Sequence, residues 1–307
     1  MSAFAVSVVI PLFNKAPFVR DMLDTVLAQT HPATQIIIVD DGSTDGGVAA
    51  INDMIGGSVK LIRQTNSGPG VARNRGIAEA SSEWVAFIDA DDQWQPNHLA
   101  TLAEVAAAFP EADLVASGFR RVAAGDALPS QDRGQLNPQL LDYFGGTRDN
   151  EKICTSSLAA RKSALAAAGG FGAAFPGEDI DLWLRIALAG EIAATARVTS
   201  FYIQRTGGVM DSLGPAPIEQ PIDATIAAAL ADPSHDARHS GLRAIRDRHH
   251  INRVKQHLFH SERDAARSQI RLCDELRAPV PLLYRLLSSI PSPLLAAGLS
   301  ARSRLRK

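Results

Sequence analysis

This 307-residue chain has little cysteine, no long apolar run and no excess of charge of either sign. Its two cysteines are too few for a disulfide framework and suit a reducing compartment. A formal net charge of −2 argues against a wholesale nucleic-acid binder. No uncharged apolar run reaches about 18 residues, so we expect no transmembrane helix. The apolar N-terminus has no basic residue before Lys15, which indicates a buried strand rather than a signal peptide, and we expect a cytoplasmic location.

Hydrophobic residues make up 46% of the chain and charged residues 21%, which excludes a mostly disordered protein. The length allows one large or two small domains. Charge is unevenly distributed along the chain. Residues 238–307 carry 15 Lys and Arg but only 5 Asp and Glu, whereas the rest of the chain carries 16 Lys and Arg and 28 Asp and Glu. This asymmetry indicates that the two parts meet different partners.

Short apolar segments alternate with helical patterns in the first 122 residues. Strands are predicted at 6–11, 35–40, 59–62 and 83–88, and a helix follows each of them. This order predicts an α/β fold in which a mostly parallel sheet is covered by helices on both faces. Ligands bind such sheets outside the carboxyl ends of the strands. The polar residues predicted at that edge are Asn14, Asp40, Asp41, Asp89, Asp91 and Asp92.

The rest of the chain has a less regular pattern. Residues 123–150 are rich in Gly, Asp, Pro and Gln and predict an irregular insertion. A helix is predicted over 177–189 and a strand over 197–205. The segments 221–230 and 237–276 are predicted to be helical.

Asp89, Ala90 and Asp91 follow the predicted strand WVAFI. Two carboxylates that are separated by one residue beyond a strand can converge on one hard cation. Mg²⁺ and Mn²⁺ prefer such oxygen ligands, and Mg²⁺ usually shares them with substrate phosphates. Because the pattern is short, a solvated acidic turn is the alternative interpretation.

Two further loops carry groups that suit a nucleotide. Asp40 and Asp41 end the second strand, where a carboxylate can accept a hydrogen bond from a base or a ribose, although an Asx-type turn is the alternative. The run GPGVARNRG at 68–76 lets a backbone approach a ligand and offers Arg73 to a phosphate or a base. It is neither the dinucleotide fingerprint nor a Walker A loop, and a helix N-terminus with surface arginines is the alternative.

Gly177, Glu178 and Asp179 begin the predicted helix at 177–189. A carboxylate in the first turn of a helix is favoured in its ionised form by the helix dipole and can accept a proton from a substrate. Plain complementation of the dipole is the alternative. Asp181, two residues further on, is predicted to be a surface acid.

The order of these segments is more specific than any one of them. VSVVIPLFN, IIIVDDGSTD, NSGPGVARNRG, WVAFIDADD and GEDIDLWLR follow one another along the chain. In that order they resemble the family 2 glycosyltransferases with the GT-A fold, over residues 5–205. The segment SSLAARKSALAAAGGF at 156–171 is similar to the family's stretch before its Glu-Asp pair.

The resemblance implies a catalytic domain over 1–215, with a nucleotide-binding half at 1–122 and an acceptor half at 123–215. A mainly helical extension would occupy 216–307. The family's activity is an inverting transfer from a nucleotide-activated sugar, usually a UDP-sugar, and it uses Mg²⁺ or Mn²⁺.

Site roles follow from the same resemblance. The donor nucleotide would contact Pro11, Phe13, Asn14, Asp40, Asp41, Arg73, Asp89 and Ala90. Asp91, together with Asp89, would hold the metal that bridges the diphosphate. Asp179 would be the general base, and Glu178 would shape the site or assist.

Two features depart from the family's pattern. The QxxRW motif and transmembrane helices of the processive synthases are missing, so we expect a single addition per encounter. Many relatives have a histidine in the loop after the strand that follows the Glu-Asp helix. Residues 203–208 read IQRTGG here, which argues against a third protein ligand to the metal.

Residues 280–299 are apolar but are interrupted by Arg285 and three prolines, and four basic residues follow them. This pattern suits an amphipathic segment at anionic lipids, on the inner face of a membrane. The alternative is a helical appendage that packs on the catalytic domain or on a second subunit of a homo-oligomer. The expected acceptor is a glycan or a lipid-linked molecule, and nucleic acid is not an expected partner.

Two other functions share features with glycosyl transfer. A sugar nucleotidyltransferase would have a Gly-rich loop with Lys or Arg directly after the first strand, and PLFNKAPF has no such glycines. A catalytically decayed binding protein would have lost the acids of the Asp-x-Asp or Glu-Asp segments, and both segments are intact.

Overall fold

The computed structural model describes residues 4–129, 136–145, 153–173, 176–204, 220–259, 262–275, 280 and 282–289. The chain divides into two compact units, Met1–Arg205 and Thr206–Lys307. The domain boundary predicted near residue 215 lies outside the described residues.

The first unit contains a nine-stranded sheet. Its strands are β1 (Val6–Leu12), β2 (Gln35–Asp40), β3 (Val59–Arg63), β4 (Trp84–Phe87), β5 (Gln93–Trp94), β6 (Leu114–Ala123), β7 (Gln139–Leu140), β8 (Leu158–Arg161) and β9 (Ile192–Gln204). Its helices are α1 (Val19–Leu27), α2 (Gly47–Ala50), α3 (Pro69–Glu79), α4 (His98–Ala108), α5 (Lys162–Ala167) and α6 (Glu178–Ala189).

The strands lie in the order β3-β2-β1-β4-β8-β6-β9-β5, and β7 pairs with β9. The first four strands of this order are parallel to one another. β8 runs antiparallel to both β4 and β6, and β6 is again parallel to β9. This arrangement confirms the predicted α/β fold.

Burial explains why the apolar runs form the centre of the sheet. β1 (VSVVIPL) and β2 (QIIIVD) are buried along almost their whole length, as expected for parallel strands covered on both faces. α1 covers the sheet with side chains at helical spacing, namely Val19, Met22, Leu23 and Val26. Burying each of these side chains contributes about 1.5–3 kcal/mol.

Several predicted elements of the first unit differ from the observed ones, and the strand predicted over 197–205 runs over Ile192–Gln204. The helix predicted after the third strand begins at Pro69, because Gly68 has φ 89° and proline suits the first helical turn. The helix predicted after the second strand is only the short α2, followed by a 3-10 turn at Asn52–Met54. The insertion at 123–150 contains β7, which forms only because β9 supplies its hydrogen-bonding partner.

The second unit is helical in its described residues. It contains α7 (Pro221–Ala231), a 3-10 helix at Pro233–Arg238, α8 (His239–Phe259), α9 (Arg263–Glu275) and α10 (Leu282–Ser289). The segment predicted as helical over 237–276 therefore forms two helices, and the Glu262 N–H, just before α9, donates to the carbonyl of His257 at 2.8 Å. A small core forms around Val254 and Ile270. No described helix has the length and apolarity needed to cross a membrane.

Candidate active site

The parallel strands bring their carboxyl ends to one edge of the sheet. Leu12 at the end of β1 pairs with Asp40 at the end of β2, and Val9 pairs with Phe87 at the end of β4. The polar residues that follow β1, β2 and β4 therefore meet at this edge. It is the edge at which the sequence places a ligand.

The loop after β1 is tied to the loop after β2 by Asn14. This residue has φ 50°, a left-handed conformation that asparagine tolerates better than most residues. Its side-chain Oδ1 accepts from the Thr44 N–H at 2.8 Å, and its own N–H donates to Ser43 Oγ at 3.1 Å. Pro11 and Phe13, just before it, are half-buried.

Asp40 and Asp41 have different environments. Asp40 Oδ1 accepts from the Ser43 N–H at 2.9 Å, which is the Asx-type turn, and Asp40 is among the residues that line a cavity of about 350 Å³ with Arg63 and Gln64. Asp41 accepts three bonds of 2.8–2.9 Å, from the Gln64 side chain and from the N–H groups of Ser67 and Gly68. Asp41 therefore fastens the loop that leads into α3.

Arg73 connects the two acidic segments of the site. Its Nη1 donates to Glu178 Oε1 at 2.8 Å, and its Nη2 donates to Asp89 Oδ1 at 2.7 Å. The guanidinium also lies 5.3 Å from the centre of the Phe171 ring. Burial opposes the charge of Arg73, but the carboxylates of Asp89, Glu178 and Asp179 outweigh burial and raise its pKa. The alternative of a surface arginine is wrong at this position.

Glu178 and Asp179 begin α6 but face different surroundings. Glu178 is 2% exposed, and burial together with the charge of Asp179 raises its pKa to about 7, although Arg73 lowers it. Asp179 is half-buried, and its Oδ2 accepts from Thr155 Oγ1 at 2.9 Å. The two neighbouring acids thus divide into one that pairs with Arg73 and one that borders accessible space.

Asp181 was predicted to be a surface acid, and this prediction is wrong. Its side chain is buried, its Oδ2 accepts from Arg185 Nε at 3.0 Å, and the same oxygen forms an ion pair with Arg185 Nη2 at 2.9 Å. Arg185 Nη2 also donates to the Gly170 carbonyl at 2.9 Å. The spacing of four residues places both side chains on the same face of α6. That face holds the loop that precedes the Glu-Asp pair.

α3 holds the same loop from the other side. The Asn74 amide donates to the carbonyl of Phe171 at 2.8 Å and accepts from its N–H at 2.9 Å. Gly70 permits the close approach, because a Cβ there would lie 2.4 Å from the carbonyl oxygen of Gly172. The GPGVARNRG run therefore positions the loop before α6.

The three acids and the alanine that follow β4 have different environments. Asp91 forms an ion pair with Lys15, and each of these side chains is about 20% exposed. Asp92 is buried, where Oδ2 accepts from Ser156 Oγ and Oδ1 accepts from the Ile203 N–H at 3.0 Å. Burial and the nearby Asp89 raise the pKa of Asp92 well above its ordinary value. Ala90 is 2% exposed and belongs to the hydrophobic core.

Four residues of the site have no sequence signal of their own: Lys15, Cys154, Thr155 and Tyr202. Burial and then the charges of Asp92 and Asp89 raise the pKa of Tyr202 to about 12. Burial and the same two acids also raise the pKa of the Cys154 thiol. Cys154, Thr155 and Tyr202 lie beside the acids because β8 and β9 pair with the sheet, and Lys15 does so from the loop after β1. Neither arrangement can be predicted from the spacing of nearby residues.

The carboxylate oxygens at this edge are candidate ligands for a divalent cation. Among the described residues, no group of three or more His, Cys, Asp and Glu side chains is arranged to hold a metal. Asp89 and Asp91 offer carboxylate oxygens at the edge, with side chains that are 33% and 20% exposed. Mg²⁺ is usually held by one or two carboxylates, with substrate phosphates and water completing its shell. The residues present fit such a shared site.

Comparison with known families adds a second line of evidence. The model described as "Glycosyl transferase family 2" matches residues 7–167, about half of the chain. An uncharacterized glycosyltransferase, alr2836 of Nostoc sp., is 42% identical over 113 residues, which cover 36% of this chain and 34% of that protein. A putative teichuronic acid biosynthesis glycosyltransferase, TuaG of Bacillus subtilis, is 38% identical over 97 residues, which cover 31% of this chain and 38% of that protein. The chain thus spans only about a third of these relatives' length.

Solved structures extend the likeness to most of the chain. A TarS fragment from S. aureus in complex with UDP-GlcNAc has a TM-score of 0.71 and 19% identity, covering 96% of this chain and 89% of that chain. The same fragment in complex with UDP has a TM-score of 0.64 and 20% identity, covering 80% and 71% of the two chains. At these identities the likeness establishes the fold, which is the GT-A type expected from the sequence.

Proposed function

Because this chain belongs to glycosyl transferase family 2, we propose that it transfers a sugar from a UDP-sugar to a hydroxyl group of a glycan or a lipid-linked acceptor. The observation that carries this proposal is the bridge that Arg73 forms between Asp89 and Glu178. It joins a strand-end acid on the donor side to the helix that carries Asp179. UDP and UDP-GlcNAc in the similar TarS structures support a uridine nucleotide as the donor.

The donor nucleotide is proposed to bind at the edge formed by the loops after β1 and β2. Asp40 would accept a hydrogen bond from the uracil N–H, and the half-buried Phe13 would pack against the nucleotide. Asp41 would hold the loop before α3 in place, since its carboxylate already accepts three hydrogen bonds from that loop. Asn14 holds the two loops at a fixed separation.

Asp89 and Asp91 are proposed to hold Mg²⁺ or Mn²⁺ together with the donor diphosphate. The cation, when bound, would stabilise the negative charge that develops on the leaving nucleoside diphosphate. Arg73 keeps one oxygen of Asp89 in place, because its other guanidinium nitrogen is anchored to the buried Glu178. This anchoring gives the donor side of the site a fixed geometry.

Asp179 is proposed to be the general base. Its half-buried carboxylate borders accessible space, whereas Glu178 is buried and paired with Arg73. The hydrogen bond from Thr155 orients the carboxylate of Asp179. Asp179 would take the proton of the acceptor hydroxyl while the hydroxyl oxygen attacks the anomeric carbon from the face opposite the diphosphate. One displacement inverts that carbon and needs no covalent sugar–enzyme intermediate.

Calorimetric titration tests the donor site. UDP, GDP and TDP would be titrated into the full chain with Mn²⁺ and then with EDTA. We expect UDP to bind with Mn²⁺ and to lose most of its affinity in EDTA, because the diphosphate would share the cation with Asp89 and Asp91. Absence of binding by all three nucleotides to the folded protein would instead support the decayed-fold alternative. Equal UDP affinity in Mn²⁺ and in EDTA would refute the proposed role of the metal in donor binding.

Substitution of the base tests the acceptor side. Asp179→Asn should abolish turnover of a UDP-sugar while leaving UDP affinity within about twofold, because only the proton acceptor is lost. Asp24→Asn, an exposed acid on α1, is the matched control. Turnover measured with a panel of UDP-sugars also identifies the donor. Unimpaired turnover in Asp179→Asn would exclude this residue as the base.

A peripheral membrane contact through 280–307, in the cytoplasm, is also proposed. Its described part is α10, on which Leu282, Leu283 and Leu286 are 70%, 59% and 58% exposed. Large apolar side chains with this exposure suit insertion between lipid headgroups. Removal of residues 280–307 should weaken binding to anionic liposomes in a flotation assay, and unchanged flotation would favour a packing role or a second subunit.

A further inference from the structure

The loop after β1 holds Lys15 in a defined place. The Lys15 carbonyl accepts from the N–H groups of Phe18 and Val19, at 2.9 and 3.0 Å, and so anchors the start of α1. On either side of Lys15, Asn14 is bonded to the loop after β2, and the Ala16 N–H donates to Asp45 Oδ2 at 2.7 Å. The backbone of Lys15 is therefore fixed, and its side chain reaches across to Asp91.

Lys15 and Arg73 are positively charged residues that contact acids of this edge, and their side chains differ in mobility. Arg73 is 4% exposed and is held between Asp89 and Glu178. Lys15 is a point charge on a flexible stem, and its side chain is 19% exposed. Lys15 can leave Asp91 by rotation of its own side chain, whereas Arg73 could move only by breaking a buried pair.

We propose that Lys15 is a diphosphate-binding residue that moves from Asp91 to the donor diphosphate when a divalent cation occupies Asp91. The inference rests on the proposed function. A cation and the Lys15 ammonium would both need the Asp91 carboxylate, so one displaces the other. The displaced ammonium then lies beside the anion that accompanies the cation, and it would add a hydrogen bond to the leaving group.

This exchange predicts two effects of opposite sign in Lys15→Met. The affinity for Mn²⁺ alone should rise by about threefold or more, because the internal competitor for Asp91 is gone. The affinity for UDP in saturating Mn²⁺ should fall by about tenfold, because a charged hydrogen bond to the diphosphate is lost. Uridine, which has no phosphate, should be affected by less than about twofold.

The test combines Mn²⁺ binding, followed by electron paramagnetic resonance of the free ion, with calorimetry of UDP and uridine. Lys15→Arg should retain most of the UDP affinity because it keeps the charge. Lys60→Met is the matched control, since Lys60 forms an exposed ion pair with Glu79 at 2.6 Å away from this edge. Tryptophan fluorescence verifies that each variant is folded.

Each outcome decides the proposal. Tighter Mn²⁺ binding together with weaker UDP binding in Lys15→Met supports it. UDP affinity that equals the wild-type value, or Mn²⁺ affinity that does not rise, overturns it. If wild-type protein binds no UDP with Mn²⁺, the donor site itself fails, and that result is obtained before any variant is made.

Discussion

Glu178 gives the sharpest quantitative prediction, because it is a buried carboxylate with a raised pKa. The pKa rises from the ordinary value of 4.5 to about 7, mainly through burial and then through the charge of Asp179. The folded protein therefore holds this proton more tightly than the unfolded chain does. Stability from this group is complete below about pH 4.5 and is lost as the pH rises through about 7.

The size of the effect follows from the two pKa values. Each pH unit between 4.5 and 7 corresponds to about 1.4 kcal/mol, so the free energy of unfolding should fall by about 3 kcal/mol over this range because of Glu178 alone. Glu178→Gln carries no proton to lose. The decrease in stability between pH 5 and pH 8 should therefore be about 2–3 kcal/mol smaller in the variant than in the wild type.

Urea unfolding at pH 5 and pH 8, followed by tryptophan fluorescence, measures this difference. The three tryptophans, at positions 84, 94 and 183, all lie in the first unit, so the signal reports the unit that contains the site. Glu104→Gln, at an exposed position of α4, controls for the loss of one acidic side chain. Equal pH dependence of the stability in the wild type and in Glu178→Gln would refute the raised pKa of Glu178 and the burial that causes it.

Three further substitutions test the packing that supports the site, all by urea unfolding with tryptophan fluorescence. Gly76→Ala should lower stability by about 1–3 kcal/mol, because its Cβ would lie 2.4 Å from Val9 Cγ1, and wild-type stability would contradict this contact. Asn14→Ala should cost about 1–2 kcal/mol through its left-handed backbone and the lost bond to the Thr44 N–H, and Asn14→Gly should cost less. Asp41→Asn should cost about 1–3 kcal/mol, because an amide cannot accept the three bonds that this carboxylate accepts, and an unchanged midpoint would remove its anchoring role.

Much of the first half of the fold could be predicted because its signals are local. Val6–Leu12 and Gln35–Asp40 are apolar runs of strand length, which suit a parallel strand that is buried on both faces. The strand-end positions of Asp40 and Asp89 then follow from the rule that parallel strands end at one edge. The family resemblance uses the same local segments, and the family match at 7–167 confirms it.

The contacts that organise the site depended on distant parts of the chain. Arg73 and Glu178 are 105 residues apart, and Lys15 and Asp91 are 76 apart, so neither ion pair leaves a periodic pattern. Asp181 illustrates the error that follows, because an acid near a helix start looks solvent-exposed until its partner and its burial are known.

The sequence by itself determined the parallel strands of the first half, the family and the acids at the sheet edge, since hydrophobic periodicity and turn chemistry act over a few residues. Only the tertiary structure decided which acid is buried, which is paired with a cation and which borders accessible space. That decision depends on the order of strands in the sheet, because β8 and β9 bring Thr155 and Tyr202 beside the acids. Desolvation and charge pairing then give chemically identical carboxylates different roles.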